Sequence, residues 1–451
     1  MSHIPREPTA PPAFDPNHER YWDARDLEAE LRRTYQICHE CRMCVTYCGS
    51  FPILFDAIDA DIDAGRAEGA EAVTAEVVRK VTDHCWQCKL CYIKCPYTPD
   101  EKARELLDFP RLMAREKAQR ARRDGIPLVD RVLGEPRLLG ALGSGINAAP
   151  ANFVNANRLA RKLTEKVAGI SADFPLPPMA KTPFGSWFAT RQPAADAGEA
   201  GKVVLFATCY GEYNFPDVPR AAVQVLEHNG FEVLLPDPVD CCGMPNLDGG
   251  DVAAAKEKMA RNVRGMLPLV RQGYKIVTPG PTCGYTMKQE WPVYLASDEA
   301  KEVAAATRDL MEFLDELRRE KRLRKDFQRG LGKVAYHAAC HLRAQKIALP
   351  GARLLGLLPE TEVRSVERCS AVDGTWGMKA EYYAEGRRYA RRMATALAPE
   401  DDEPDVIVTD CSLAGQRILA ENGVSALHPI VALRDAYDIE AGARPLETEK
   451  A

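Results

Sequence analysis

The chain has 451 residues, 46% hydrophobic and 28% charged, which is the make-up of a globular protein with two or three domains and a sizeable buried core. A formal net charge of -5 offers no electrostatic basis for nucleic-acid binding. The N-terminus lacks an apolar core and a small-residue cleavage site, and no apolar run nears the roughly 20 residues that span a bilayer. The expectation is therefore a cytoplasmic protein, with peripheral contact at the inner face of the cell membrane left open.

Residues 1–25 are Pro-rich and polar and read as an arm. Asp26 to Tyr35 reads as a short helix, with Leu27 and Leu31 on one face, that delivers the chain into Cys38-x-x-Cys41-x-x-Cys44-x-x-x-Cys48. An apolar series of helical period fills Phe51 to Thr82. The same cysteine spacing then returns as Cys85-x-x-Cys88-x-x-Cys91-x-x-x-Cys95-Pro96. Such a loop turns three thiolates toward one iron–sulfur cube and sends the fourth to the other cube. Two [4Fe-4S] clusters are expected, the first on Cys38, Cys41, Cys44 and Cys95, the second on Cys85, Cys88, Cys91 and Cys48. Zinc would use two C-x-x-C pairs and leave the later members of each run unexplained. Disulfides would need an exported chain and seldom close across two residues. The long helical insert between the runs predicts an α-helical ferredoxin domain over 26–125 rather than a minimal bacterial ferredoxin.

Lys102 to Lys117 has helical character with a break at Pro110, and Arg115, Lys117, Arg120, Arg122 and Arg123 form a basic cluster. That cluster is either a solvated helix face or a docking face for an acidic partner. Residues 126–200 form a helical, Pro-rich connector. Within it, an amphipathic basic helix over Asn155 to Val167, bearing Arg158, Arg161, Lys162 and Lys166, fits either packing on its own domain or a membrane interface. The aromatics Phe184, Trp187 and Phe188 are either a docking plug or the cover of a core edge.

From Gly201, strands alternate with helices. Val203–Phe206, Phe231–Leu235 and Tyr274–Thr278 read as strands that run to Cys209, to Cys241-Cys242-Gly243 and to Cys283, with helices over Val218–Asn229 and Asp251–Gln272 between them. The pattern then repeats: Val334–Tyr336 leads to Cys340, Thr361–Val366 to Cys369, and, after a helix over Glu381–Leu397, Val406–Val408 leads to Cys411. In both copies 40 residues (243–282 and 371–410) precede the third cysteine, which marks an internal duplication. The expected fold is an α+β multidomain chain: the helical ferredoxin domain, then two α/β domains with parallel sheets over 201–320 and 321–440. Cysteines at the carboxyl ends of parallel strands converge on one crevice. Cys209, Cys241, Cys242 and Cys283 could close a metal centre with thiolates alone. Cys340, Cys369 and Cys411 are one ligand short, with His337, His341 and Asp410 as candidates to complete the set. Iron–sulfur and zinc are open in either copy, and no metal at all is open in the second.

The tandem cysteine runs, Thr208-Cys209-Tyr210-Gly211-Glu212, Cys241-Cys242-Gly243, Thr282-Cys283-Gly284-Tyr285 and His337-Ala338-Ala339-Cys340-His341 together resemble the iron–sulfur C-subunit family of anaerobic glycerol-3-phosphate dehydrogenase. That family sits among the CCG-domain proteins of heterodisulfide reductase and of glycolate or lactate oxidase systems. The resemblance runs from about residue 30 to 435. It implies a hetero-oligomeric subunit that takes electrons from a flavoprotein dehydrogenase and passes them toward membrane quinone. It also implies that Cys209, Cys241, Cys242 and Cys283 form a first CCG centre and Cys340, Cys369 and Cys411 a second. Thr286, Ser370 and the stretch Cys411-Ser412-Leu413-Ala414 depart from the family's five-thiolate pattern. No glycine fingerprint for a dinucleotide lies between a strand and a helix, so the flavin is expected on another chain. Two further functions stay open from the sequence: catalysis of thiol–disulfide reduction, and a zinc-bearing assembly scaffold.

Overall fold

The computed structural model describes residues 4–372 and 374–439. The first three residues of the expected arm and residue 440, the expected end of the second α/β half, lie outside the described residues. The chain divides into two compact units, one of residues up to 131 together with 245–254, the other of 132–244 and 255 onward.

The first unit is helical. Asp23 caps the helix Ala24–Cys41 by accepting from the Arg25 and Asp26 amides at 2.8 and 3.0 Å. This helix is longer than the sequence predicts and carries Cys38 and Cys41 itself. Ser50–Asp63 and Ala75–Asp83 make up the insert between the cysteine runs. Lys102 to Asp108 is not helical, contrary to expectation. The helix is Phe109–Asp124, and Pro110 sits at its start, where a missing amide costs nothing. The basic cluster on this helix is not one solvated face. Arg115 is fully buried and donates to the Tyr21 carbonyl at 2.8 Å, while Arg120 pairs with Asp83 at 2.5 Å.

The second unit holds two parallel sheets. β1 (Gly201–Leu205), β2 (Phe231–Leu234), β3 (Lys275–Thr278) and β4 (Thr307–Asp309) stand in the order β2-β1-β3-β4. β5 (Gly332–His337), β6 (Thr361–Val366) and β7 (Val406–Thr409) stand in the order β6-β5-β7. Both sheets put their first strand between the next two, which is the duplication seen as topology. β4 has no counterpart in the sequence reading. It is three residues long and polar, and Asp309 at its end forms a capping box with Glu312 on the helix Leu310–Arg319.

The two copies share one core. Val203, Leu205 and Val277 of the first sheet and Val334, Tyr336 and Val408 of the second belong to one continuous apolar cluster. The helices Asp217–His228 and Pro429–Ala436 join the same cluster, and Arg434 pairs with Asp217 at 2.5 Å. Phe184 is fully buried in it and Trp187 and Phe188 pack on its edge, so these aromatics cover core rather than project as a plug.

In residues 132–168 the expected single helix over 155–167 is two, Ala148–Ala156 and Arg158–Ala168. Asn157 interrupts them and caps the second by accepting from the Leu159 and Ala160 amides at 3.0 Å. The preceding helix is Pro136–Gly143.

Candidate functional site

The two cysteine runs share a backbone device as well as a spacing. The residue after the second cysteine is left-handed in each, Arg42 at φ 51° and Lys89 at φ 62°. The first turn closes as the Arg42 amide donates to the Cys38 carbonyl at 2.8 Å, ending the helix and bringing the chain back toward Cys44. In the second run Gln87 is also left-handed, at φ 47°. Its buried amide donates to the Pro110 carbonyl at 3.0 Å and to Cys85 Sγ at 3.4 Å, and it accepts from Lys89 Nζ at 3.0 Å. Non-glycine residues pay a steric penalty in this region, so tertiary contacts such as these hold the loop.

Cys38, Cys41, Cys44 and Cys95 line one cavity, walled by Ile37, Phe51, Phe55 and Leu107. Burial, then Cys95, Cys44 and Cys41, push the Cys38 thiol well above its ordinary range, with Arg33 as a small counterweight. Burial, Cys95 and Cys41 carry Cys44 up to about 12. Cys91 is raised well above its ordinary value by burial first, then by Cys88, Cys44, Cys85 and Cys48. Cys38 and Cys44 therefore feel the last cysteine of the second run, and Cys91 feels both Cys44 and Cys48 of the first. Buried thiols that oppose one another's ionisation become thiolates together only when a cationic core replaces their protons. This donor set and its apolar walls fit iron–sulfur clusters.

In the first α/β copy, Cys209 stands at the N-terminus of the short helix Cys209–Tyr213, placed by Thr208 at φ 67°. The thiols form a string of contacts, Cys209 to Cys241, Cys241 to Cys242 and Cys242 to Cys283. Contact with Cys241, then burial, lifts Cys209 well above its ordinary range, and Arg137 acts against that rise. Cys242 is lowered by Cys241 but raised more by Cys283 and burial. The backbone of the cysteine pair is held from outside: Asn262 Nδ2 donates to the Cys241 carbonyl and Trp291 Nε1 to the Cys242 carbonyl, both at 2.9 Å. Gly243 follows at φ 93°, where a side chain would be strained and its Cβ would lie 3.1 Å from the Ala255 carbonyl. Arg137, Asn262 and Trp291 carried no signal in the sequence, because each reaches the cysteines only through the tertiary fold.

The second copy is built differently. Cys411 lies within electrostatic reach of Cys283 and Tyr210 of the first copy. His337, a candidate for the missing ligand, is buried with both ring nitrogens engaged, by Thr409 Oγ1 at 2.9 Å and by the Arg368 carbonyl at 3.0 Å. Burial lowers it to about 4, so it stays neutral, but neither nitrogen is left for a metal. Asp410 accepts from the Tyr336 hydroxyl, and its carboxyl is raised by burial and by Asp309. His341 Nδ1 bonds Thr282 Oγ1 at 2.9 Å and its ring stacks on Tyr285 with centroids 5.1 Å apart. All fifteen cysteines are thiols, with no disulfide among the described residues. Among the described residues, no three His, Cys, Asp or Glu side chains close around a point as they would on a single metal ion. A cube, with an iron behind each thiolate, sets its ligands further apart than one ion does.

Comparison with known proteins places this geometry. The CCG cysteine-rich domain model matches residues 203–288 and 334–413. The chain is 26% identical over 311 residues to the C-subunit of anaerobic glycerol-3-phosphate dehydrogenase from Escherichia coli K12, a match covering 68% of this chain and 76% of that one. It is 30% identical over 178 residues to the B-subunit of fumarate reductase (CoM/CoB) from Methanothermobacter marburgensis, covering 39% of this chain and 33% of that one. It is 31% identical over 188 residues to lactate utilization protein A of Bacillus cytotoxicus, covering 40% of this chain and 75% of that one. With two matched copies and that coverage of a lactate utilization relative, the chain belongs to the family of CCG cysteine-rich-domain proteins.

Proposed function

We propose that this chain is an iron–sulfur electron-transfer subunit of a dehydrogenase or reductase complex, relaying electrons from a flavoprotein partner toward membrane quinone. The observation that carries the reading is geometric: Cys95 of the second run lines one cavity with Cys38, Cys41 and Cys44 of the first, which supports a crossed pairing with Cys48 joining Cys85, Cys88 and Cys91. Bound there, two [4Fe-4S] clusters supply reversible one-electron transfer. The protein's part is to gather the thiolates of the two runs, four of them around one apolar-walled cavity, and to set the two groups side by side through residues such as Arg42, Gln87 and Lys89. The names of the relatives, subunits of a dehydrogenase and of a fumarate reductase, support a hetero-oligomer whose substrate chemistry resides on another chain.

In this reading the ferredoxin part spans 26–125, the connector 126–200 and the CCG domains 201–320 and 321–440. Cys209, Cys241, Cys242 and Cys283 hold a further iron–sulfur centre. The second copy, with His337 and Asp410 committed to protein partners, serves chiefly as scaffold for the first.

Two variants test the crossing. Cys38→Ser and Cys95→Ser, purified anaerobically, are expected to deplete the same cluster signal in electron paramagnetic resonance and to lower iron equally. Loss of two different signals would refute the crossed assignment. The relay itself is tested by identifying the flavoprotein that copurifies and by its reduction of the bound clusters on addition of substrate. Turnover of a disulfide by this chain alone would overturn it in favour of a thiol–disulfide reductase.

A further inference from the structure

Of thirteen large hydrophobic side chains exposed among the described residues, nine lie between Val132 and Val167, so the exposure is concentrated rather than scattered. Ile146 is 96% exposed, Leu159 79%, Val167 75% and Phe153 71%. The helix Arg158–Ala168 is inverted relative to a core-facing helix. Leu159, Leu163 and Val167, at i, i+4 and i+8, face outward, while Arg161 is buried and its Nη2 donates to the Ser171 and Phe174 carbonyls at 2.5 and 3.0 Å. Those bonds, the Asn157 cap and a left-handed Gly169 at φ 64° fix which way the helix faces. The apolar stripe is therefore presented outward by the fold.

The charge of the patch selects its occupant. From Pro136 to Ala168 there are five basic residues and a single acid, Glu165, which is partly buried and accepts from the Ala172 amide. Arg158, Lys162 and Lys166 are exposed at i, i+4 and i+8, beside the apolar stripe, in a chain whose net charge is -5. Lysines rimming a leucine and valine face are depleted in protein–protein interfaces, but they suit a bilayer surface, where stems bury and heads reach anionic phosphates. No described helix is long and apolar enough to cross a membrane.

We infer that the helices over Pro136–Ala168 form a docking surface for anionic lipid, on which the protein lies with Leu142, Phe153, Leu159, Leu163 and Val167 dipped into the headgroup boundary. The same surface adjoins the first CCG cysteines. Gly140 of the helix Pro136–Gly143 touches the Tyr213 ring so closely that a Cβ there would come within 2.5 Å of it, and Tyr213 ends the helix begun by Cys209. Docking would thus bring the first CCG centre to the lipid boundary, where an apolar acceptor dissolves. That last step rests on the relay reading, whereas lipid binding does not.

Flotation of the full-length protein with phosphatidylglycerol–phosphatidylcholine vesicles, at physiological salt, tests the surface. Wild type is expected to float, with binding weakened about tenfold or more on pure phosphatidylcholine. The triple variant Leu159→Gln, Leu163→Gln, Val167→Gln should stay at the bottom with either vesicle while keeping wild-type iron and visible absorbance. The triple variant Arg158→Gln, Lys162→Gln, Lys166→Gln should lose the preference for anionic lipid. Wild type that fails to float, or an apolar variant that floats like wild type, overturns the proposal. So does self-association in wild type that the apolar variant abolishes without any vesicle binding, since a second copy would then be the occupant. A protein that floats as expected but whose centres a lipid-soluble quinone cannot oxidise would refute the relay and leave the docking surface intact.

Discussion

The two CCG copies share a strand order and a core yet differ in the polar side chains around their cysteines. In the first, four thiols touch in sequence and outside residues pin the backbone of the cysteine pair. In the second, polar side chains reach across to the first. His428 donates to the Pro279 carbonyl at 3.0 Å, Gln345 to the Pro281 carbonyl at 3.1 Å, and His341 bonds Thr282 at 2.9 Å. All three grip the segment that leads into Cys283. Duplication thus supplied two equivalent frames, and side chains of the second now hold the loop of the first.

The largest effect expected from this difference is all-or-none. Cys241→Ala should abolish an iron–sulfur signal distinct from both ferredoxin cubes, whereas Cys369→Ala should leave that signal and the iron content unchanged. Iron analysis and electron paramagnetic resonance of the two purified variants decide it. Equal iron loss from both would mean that the second copy holds a centre of its own, and the asymmetry would be broken.

A smaller effect should appear as acid sensitivity. His428 is buried, its Nδ1 accepting from the Ile430 amide at 3.2 Å and its Nε2 donating to Pro279, so the fold needs it neutral. Burial lowers it from an ordinary 6.5 to about 4. Because the folded value lies below the unfolded one, the stabilisation is complete above pH 6.5 and is lost as pH falls toward 4, amounting to about 3 kcal/mol. His337 titrates in the same window. His428→Asn should therefore reduce the loss of urea midpoint between pH 7 and pH 4 relative to wild type. A variant with the wild-type slope would show that the grip on Pro279 is not made by a neutral histidine.

How much of this was legible beforehand follows from what each feature depends on. Strand ends, the parallel layering and the duplication were readable because they rest on local apolar periods and on fixed spacing between cysteines. That Cys95 of the second run would come beside Cys38, Cys41 and Cys44 of the first was readable for the same reason, while the cluster that each thiolate holds belongs to the proposed function. Burial of Arg115 and Arg161 was not, because an arginine whose donors meet backbone carbonyls looks like any surface arginine in the sequence. The period of residues 158–168 revealed an apolar stripe but not its direction, which depends on what Arg161 finds inside. His337 looked like a ligand by position. Only the fold brings Thr409 and the Arg368 carbonyl to its two nitrogens.

The smallest effect is the sharpest test of whether the second copy supports the first centre or only packs against it. Gln345 is buried, donates to Pro281 and accepts from Lys288 Nζ at 3.1 Å, and its amide lies against Gly284, next to Cys283. Gln345→Ala leaves the Pro281 carbonyl without this donor in a dry place, a cost of about 1–2 kcal/mol. Gln345→Glu keeps the shape and the Lys288 partner but sets a carboxylate against that carbonyl, so it should rescue little. If the grip positions Cys283, both variants should also broaden or shift the resonance of the first CCG centre while the two ferredoxin signals stay put. A stability loss with an unchanged resonance would reduce the grip to interface packing. An unchanged stability as well would mean that the segment into Cys283 is held by its own copy, with the Thr286 hydroxyl bonded back to the Thr282 carbonyl at 2.7 Å as the contact to remove next.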